Sequence, residues 1–421
     1  MEQKKRAIII GGGPAGLLAA LRLTQHNDMA TIVYEIRPEP TTLGGAIGIP
    51  SNGLRLLARL GLYDALLERG CLTPEIVMHS LDGSELGKLA MVSWSEQKTG
   101  FGYLRIQRTA VMDVLLEAAS KAGIPVVFGK SIKAIDEDDI SVTATFSDGT
   151  SDSADFMIGA DGIHSAVRRL YIDPSITPKY TGIANLYALV STKSLRKEAS
   201  ELRNLNPTLT EDGLFAISPC TPDGQLLYWF FSRELPPPAT GDDRDGWEHR
   251  GKEEVDSVKA TVLGLLGQSQ SKWTIMLKDI VKSTDTVRFY PVYHIPPGVM
   301  WHRGRCLLIG DAAHAMPPHA SQGVSMASED VIMLSKLLRD FSHLPYTRIF
   351  ERYEEKRRPR TEKFLTTAQR NGTVRKKVSP IKLRFYEYAV WAALGLYRMS
   401  GIGKLGINQK DLVYDPEDEA F

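Results

Sequence analysis

Residues 6–16 read Arg6-Ala7-Ile8-Ile9-Ile10-Gly11-Gly12-Gly13-Pro14-Ala15-Gly16, a short apolar strand running straight into a glycine-rich turn. The spacing of Gly11, Gly13 and Gly16 permits a tight turn, lets backbone N–H groups approach a pyrophosphate and allows close helix packing. The start of the following helix favours the anion. Helical periodicity from Pro14 to Gln25 and a second strand from Thr31 to Glu35 complete a βαβ unit, which implies a parallel sheet. Glu35 closes that second strand 24 residues after Gly11, where a carboxylate can accept hydrogen bonds from ribose hydroxyls.

Two further strand ends carry polar motifs. Ser141 to Phe146 and Ala154 to Ile158 read as strands around Asp148-Gly149, and the second leads into Gly159-Ala160-Asp161-Gly162. Arg305 to Ile309 leads into Gly310-Asp311-Ala312-Ala313-His314, and a helix begins near Val324. An Asp at the carboxyl end of a buried strand sits where ligands of open α/β sheets bind. Between these blocks the pattern changes. Glu75 to Leu89 reads as a hairpin turning at Leu81-Asp82-Gly83-Ser84, and Thr181 to about Arg288 is strand-rich with insertions such as Pro236-Pro237-Pro238. The expected architecture is α/β (α+β): a Rossmann-type dinucleotide unit (1–74, 101–180, 286–340) interrupted by a sheet-rich unit (75–100, 181–285). A C-terminal helical segment and acidic tail (341–421) follow.

Composition excludes several function classes. Hydrophobic residues make up 43% and charged residues 24% of the 421 positions, which is ordinary globular usage. Fifty-one Lys or Arg against fifty Asp or Glu gives no global charge for nucleic acid. Cys71, Cys220 and Cys306 are widely spaced, with no CxxC, so neither a disulfide framework nor a zinc site is expected. His164, His314 and His319 show no metal-ligand spacing. The N-terminal apolar stretch is too short for a leader, and the late apolar run Tyr388 to Tyr397 is too short to span a bilayer, so a cytoplasmic setting is expected.

Taken together, the Gly-rich turn with Glu35 and Arg37, the Asp161-Gly162 pair, and Gly310-Asp311-Ala312-Ala313-His314 followed by Pro318 and Gln322-Gly323 resemble the single-component (class A) FAD-dependent aromatic hydroxylases. That flavoprotein monooxygenase group includes p-hydroxybenzoate and salicylate hydroxylases. Gly44 to Gly48, Arg108 and Arg357-Arg358-Pro359-Arg360 also look like family positions, so the resemblance runs from about residue 6 to 372. It implies FAD with its pyrophosphate on Gly11, Gly13, Ala15 and Gly16 and its ribose on Glu35. Further contacts are implied from Arg37, Arg108, Asp161, Gly310 and Asp311, with the isoalloxazine near Ala46, Pro318, Gly323 and Val324. It also implies NADPH or NADH as transient donor and reaction with O2 through a flavin C4a-hydroperoxide. The substrate would be an electron-rich aromatic or polycyclic apolar molecule that is hydroxylated or epoxidised. A reductase of the same fold without oxygen insertion, and a degenerate FAD-binding interaction protein, are the alternatives.

Two positions depart from the family pattern. Tyr187 stands where many relatives carry an Arg that binds a phenolate or carboxylate, and Ser321 stands where Gly is frequent. Tyr187 is either a pocket residue or a core Tyr. His319, beside the implied flavin, is a candidate general base or substrate donor because an unperturbed imidazole titrates at about 6.5, and otherwise is a loop His bonded to backbone. Tyr228 and Phe230 share one strand face and Trp229 and Phe231 the other, so one pair should line a substrate pocket. Residues 341–404 hold 15 Lys or Arg against 5 Asp or Glu. Beyond Gly372, the basic residues Arg375, Lys376, Lys377, Lys382 and Arg384 beside the apolar run Tyr388 to Tyr397 either dock against the domain junction or contact a membrane surface or a partner, while Asp411 to Glu419 should form a solvated tail. A monomer or homodimer is expected.

Overall fold

The computed structural model describes residues 4–40, 44–236, 255–267 and 269–421. Pro237 and Pro238 of the Pro-rich run lie outside them. The strand Arg6–Ile10 sits in the middle of a six-stranded sheet, flanked by Ala30–Tyr34 on one side and Phe156–Gly159 on the other, with all three parallel. Val126–Val127 and Cys306–Leu308 extend the parallel set outward, and His302–Arg303 closes one edge antiparallel. Ala7, Ile8, Ile9, Phe156, Met157, Ile158 and Leu307 have no exposed surface. Strands covered on both faces must be apolar throughout, which is why these segments do not alternate. Helices Pro14–His26 and Gly323–Asp340 pack against each other over this core.

The strand expected from Ala154 to Ile158 is broken at Asp155. Val142–Phe146 and Ser151–Ala154 form a hairpin within a separate three-stranded sheet. Asp155 instead accepts a 2.7 Å hydrogen bond from the backbone N–H of Arg6.

The second sheet has seven strands in the order Arg288–His294, Lys179–Ser191, Leu226–Glu234, Gly213–Pro219, Asn206–Thr210, Glu75–His79, Glu85–Ala90. The strand Arg288–His294 pairs with Lys179–Ser191, so the sheet runs beyond the expected boundary at 285. One face carries Leu186, Ala188, Val190, Phe215, Ile217, Trp229 and Phe231, covered by helices Val255–Leu265 and Lys272–Lys282. The alternate residues, including Tyr187, Tyr228 and Phe230, face the first sheet's unit and are half-buried. That settles which pair of the Tyr228 to Phe231 run is core.

The C-terminal segment divides in two. Helix Pro380–Ser400 packs over the strand Glu85–Ala90 and its neighbours, with Leu383 in a cluster with Leu86, Leu209 and Leu214. Gly87 lets it approach: a Cβ there would stand 2.7 Å from the Cβ of Leu394. The opposite face is open, with Ile381 84% and Met399 84% exposed. Among the described residues, no helix is long and apolar enough to cross a membrane.

The acidic end is not a solvated tail. Asp415 is 5% exposed and accepts a 2.7 Å hydrogen bond from Arg59, while Glu417 pairs with Arg22 and Asp411 with Lys363. A basic strip on the dinucleotide unit, built from residues distant in sequence, holds it there.

Candidate active site

The motif turn shows why its glycines are required. Gly11 has φ +110°, and a Cβ there would lie 2.4 Å from the carbonyl oxygen of Ala160. At Gly16 a Cβ would lie 2.0 Å from the carbonyl oxygen of Gly11. Gly13, by contrast, faces open space. Helix Pro14–His26 has no side-chain cap and no acid in its first turn. Its first backbone N–H groups therefore point into space with no protein acceptor among the described residues, which fits an anion.

The Glu35 carboxylate accepts from the N–H of Gly12 at 2.7 Å and from the N–H of Arg37 at 3.0 Å. Each oxygen keeps a lone pair for a ribose hydroxyl. Arg37 is exposed at the same edge.

Asp161 turns out to organise its own loop. Its Oδ2 accepts from the N–H groups of Ala166 at 2.6 Å and Val167 at 3.2 Å, while its Oδ1 is buried without a partner among the described residues. Burial pushes its carboxyl up from the ordinary value. Close by, the buried Arg168 donates to the carbonyl of Ala312 at 2.6 Å and so ties the Asp161 loop to the Asp311 loop.

The third loop rests on a buried ionic cluster that the sequence did not reveal. Gly310 has φ +57° and donates to Asp330 at 2.8 Å, and the His314 Nε2 lies 2.7 Å from the same carboxylate. Arg357 bonds Asp330 and Glu329, both at 2.8 Å, and Arg360 bonds Glu329 at 2.6 Å. Asn52 donates to Glu329 at 2.9 Å and to Gln322 at 3.0 Å. Burial alone would raise the Asp330 carboxyl, but His314 and Arg357 hold it at about 2. With Arg357, Glu329 and Asp330 fully buried, this cluster fixes both ends of the segment from Gly310 to Gly323.

That segment borders a cleft. Asp311 has protein packed around it, and burial raises its carboxyl, yet its side chain is open to solvent-sized space. Such a combination marks a cleft floor. Pro318, Gly323 and Arg108 are also open to it, and a Cβ on Gly323 would meet nothing within 4 Å. Helix Gly323–Asp340 starts there with no side-chain cap and no acid in its first turn, with Val324 in its opening turn.

Across the cleft stands an aromatic wall. A Cβ on Gly45 would be 2.6 Å from the Tyr228 ring and 3.0 Å from the Tyr187 ring, so only glycine lets the loop before Ala46 pass these side chains. The two rings are 6.0 Å apart, and Tyr228 lies 5.7 Å from Phe230. Tyr290, 46% exposed, joins them from the paired strand, opposite Asn185 in register, and was not singled out in the sequence. Burial raises the Tyr187 and Tyr290 hydroxyls, against the charges of Arg288 and Arg108 at Tyr187 and of Arg108 at Tyr290. The alternation of Arg288, Tyr290 and Val292 along one strand was the signal available for Tyr290.

His319 sits in the short turn Pro318–Ala320 with its carbonyl accepting from Asn371 at 3.1 Å. Its ring packs towards Gly372 and Ile183, and its Nε2 is buried without a partner among the described residues. Burial, reinforced by Arg375, lowers its pKa to about 2. The ring is neutral at physiological pH. A neutral hydrogen-bonding role is consistent with this environment. Ser321 adopts φ +53°, the left-handed conformation that explains why glycine is frequent there. Among the described residues, no group of three or more His, Cys, Asp or Glu could hold a metal ion.

The residues present fit FAD. Two uncapped helix starts, an open Gly13, a ribose-ready Glu35 and a cleft floored by Asp311 are the features a flavin dinucleotide needs.

The FAD binding domain family model matches residues 4–275 and 297–368. The chain is 28% identical over 389 residues to 6-hydroxynicotinate 3-monooxygenase of Bordetella bronchiseptica, covering 90% of this chain and 94% of that one. It is 27% identical to the FAD-dependent urate hydroxylase of Klebsiella pneumoniae, over 79% and 81% of the two chains. The solved structure of Klebsiella pneumoniae HpxO with FAD and uric acid shares the fold, with a TM-score of 0.78 at 24% identity over 94% and 95% of the chains. Matched by the family model over most of its length, the chain belongs to the FAD-binding domain family and is an FAD-dependent monooxygenase of the single-component aromatic hydroxylase group.

Proposed function

We propose that the protein uses NADPH or NADH and O2 to insert one oxygen atom into an electron-rich aromatic or polycyclic small molecule, by hydroxylation or epoxidation. The observation that carries this reading is the facing of two unlike surfaces across one cleft. On one side stand the uncapped helix starts at Pro14 and Gly323 with Asp311, and on the other the rings of Tyr187, Tyr228, Phe230 and Tyr290.

Within this reading Gly11, Gly13, Ala15 and Gly16 take the pyrophosphate, Glu35 and Arg37 the adenosine end, and Arg108, Asp161, Gly310 and Asp311 the middle of the dinucleotide. The ring system lies by Ala46, Pro318, Gly323 and Val324. Bound FAD supplies hydride acceptance and oxygen activation. The chain itself orients the substrate ring on Tyr187, Tyr228 and Phe230, excludes water with that apolar wall, and stabilises negative charge on the reduced cofactor with the N–H groups that open helix Gly323–Asp340. His319 contributes as a neutral hydrogen-bonding group.

The test is substrate-stimulated NADPH oxidation by the FAD-loaded enzyme under isotopically labelled O2. One labelled oxygen in the product is expected. Reduced product without label identifies a reductase and overturns the monooxygenase reading.

A further inference from the structure

Helix Pro380–Ser400 is apolar on two opposite faces, and the fold covers one of them. Leu383, Val390 and Leu394 turn inward at helical spacing onto the seven-stranded sheet, where Leu383 and Val390 join Leu86, Leu209 and Leu214. The other face carries Ile381, Phe385, Tyr388, Ala392, Leu396 and Met399. These recur at every third or fourth residue and fall within about a quarter of the helix circumference. All six are exposed, Phe385 by 67% and Tyr388 and Leu396 by 65%. From Ile381 to Met399 the stripe is about 27 Å long. A helix apolar all round is ordinarily enclosed all round, so its outer face calls for a second surface.

Charge decides what that surface is. Lys382 borders the stripe on one side and Arg384 and Arg398 on the other, while Lys376 and Lys377 precede the helix and Lys404 follows it, all of them exposed. From Lys376 to Lys410 seven basic residues stand against one acid, Glu387, which is buried on the inner face and accepts from Arg384 at 3.2 Å. In the adjoining hairpin, Asp82 lies 3.7 Å from Arg384 and Glu85 lies 3.9 Å from Lys88. Pairing the stripe with itself in a second copy of the chain would set positive borders against positive borders, which like charges oppose. A surface that is negative outside and apolar beneath answers both the stripe and its borders, and an anionic bilayer has that chemistry. Tyr388 and Trp391, with ring centroids 5.6 Å apart, add amphipathic rings of the kind that settle at the headgroup level.

We propose that helix Pro380–Ser400 docks the protein on an anionic membrane surface, with the stripe Ile381 to Met399 towards the acyl chains and Lys382, Arg384 and Arg398 at the phosphates. Not long and apolar enough to cross a bilayer, the helix lies on it. It is formed before contact: the Ser379 hydroxyl accepts from the N–H of Lys382 at 3.4 Å, and Pro380 opens the first turn. Docking therefore orders no new segment. The inference goes beyond the proposed reaction and does not rest on it.

The experiment is sedimentation of the FAD-loaded protein with vesicles of phosphatidylcholine alone, and with vesicles in which about a third of the lipid is phosphatidylserine. Flavin absorbance in the pellet reads the bound fraction. Because no turnover is involved, a negative result here leaves the labelled-oxygen test standing, and the reverse holds as well.

Binding to the phosphatidylserine vesicles is expected to be about tenfold or more tighter than to the neutral ones, with the preference shrinking at high salt. Phe385→Gln combined with Leu396→Gln should weaken binding to the phosphatidylserine vesicles about tenfold or more, with FAD content unchanged. Lys382→Gln combined with Arg398→Gln should lower the anionic preference several-fold, and it serves if the first variant does not retain FAD. Three outcomes overturn the proposal. One is equal or no binding to the two kinds of vesicle, and another is binding unchanged in both variants. The third is a dimer in sedimentation velocity that the Phe385→Gln and Leu396→Gln substitutions dissociate, which would assign the stripe to a second copy.

Discussion

The two walls of the cleft are built on opposite principles. On the cofactor side a buried ionic cluster carries the frame: Arg357, Arg360, Glu329, Asp330 and His314 pair with one another below the surface, and what faces the ligand is mostly backbone. On the substrate side stand half-buried rings and His319, whose Nε2 is left without a partner among the described residues. A cofactor common to a whole family can be held by main-chain geometry and a rigid frame. Substrate choice needs groups whose satisfaction depends on which molecule arrives.

Breaking the frame should have the largest effect. Arg357→Met leaves Glu329 and Asp330 fully buried with one cation fewer. Removing one partner of a buried ionic cluster costs about 3–5 kcal/mol. Denaturant unfolding of the FAD-loaded protein should show that loss, with FAD released as the segment Gly310 to Gly323 loosens. Stability within 1 kcal/mol of the parent would mean the cluster is not the frame.

Glu35→Ala comes next and tests the cofactor side without touching the core. Hydrogen bonds to a charged group are worth roughly 1.5–3 kcal/mol, so FAD affinity should fall about tenfold to a hundredfold. The affinity of the FAD-loaded protein for a bound aromatic should stay as it was. If both change together, the two walls are coupled rather than independent.

How legible each wall was in the sequence follows from the same contrast. The strand, turn and helix around Gly11 to Gly16 could be read because local chemistry and tertiary structure ask for the same residues there. Glu35 followed from its distance to the turn. The frame could not be read in that way: Glu329 and Asp330 look like ordinary polar residues of an amphipathic helix, and only packing shows Arg357 and Arg360 arriving from a helix some thirty positions later. Tyr290 was hidden because sheet order, not sequence order, puts it beside Tyr187 and Asn185. The acidic end was misread for a related reason. Its partners Arg22, Arg59 and Lys363 are spread over most of the chain, and composition near the terminus carries no trace of them.

Acid should weaken the cofactor side first. Asp330 is held at about 2 by His314 and Arg357 against burial, whereas an unfolded Asp titrates near 3.9. A folded pKa below the unfolded one gives stability that is full above about pH 4 and is lost as pH falls towards 2. The expected contribution is about 2.6 kcal/mol. Unfolding measured across this interval should show stability falling with pH, and the slope should be shallower in Asp330→Asn.

The smallest effect should come from the one place where the cleft loop itself is strained. Ser321 holds φ +53° and ψ 37°. A non-glycine residue in the left-handed region bears roughly 1–2 kcal/mol, which Ser321→Gly removes. Glycine also gains unfolded-state entropy, worth about 0.4–1 kcal/mol in the opposite sense. The two contributions nearly cancel, so the unfolding free energy should rise by no more than about 1 kcal/mol. A fall of about 2 kcal/mol exceeds the entropy difference. It would show that the Ser321 side chain makes a contact on the substrate wall that the loop geometry alone does not reveal, shifting this residue from frame to pocket.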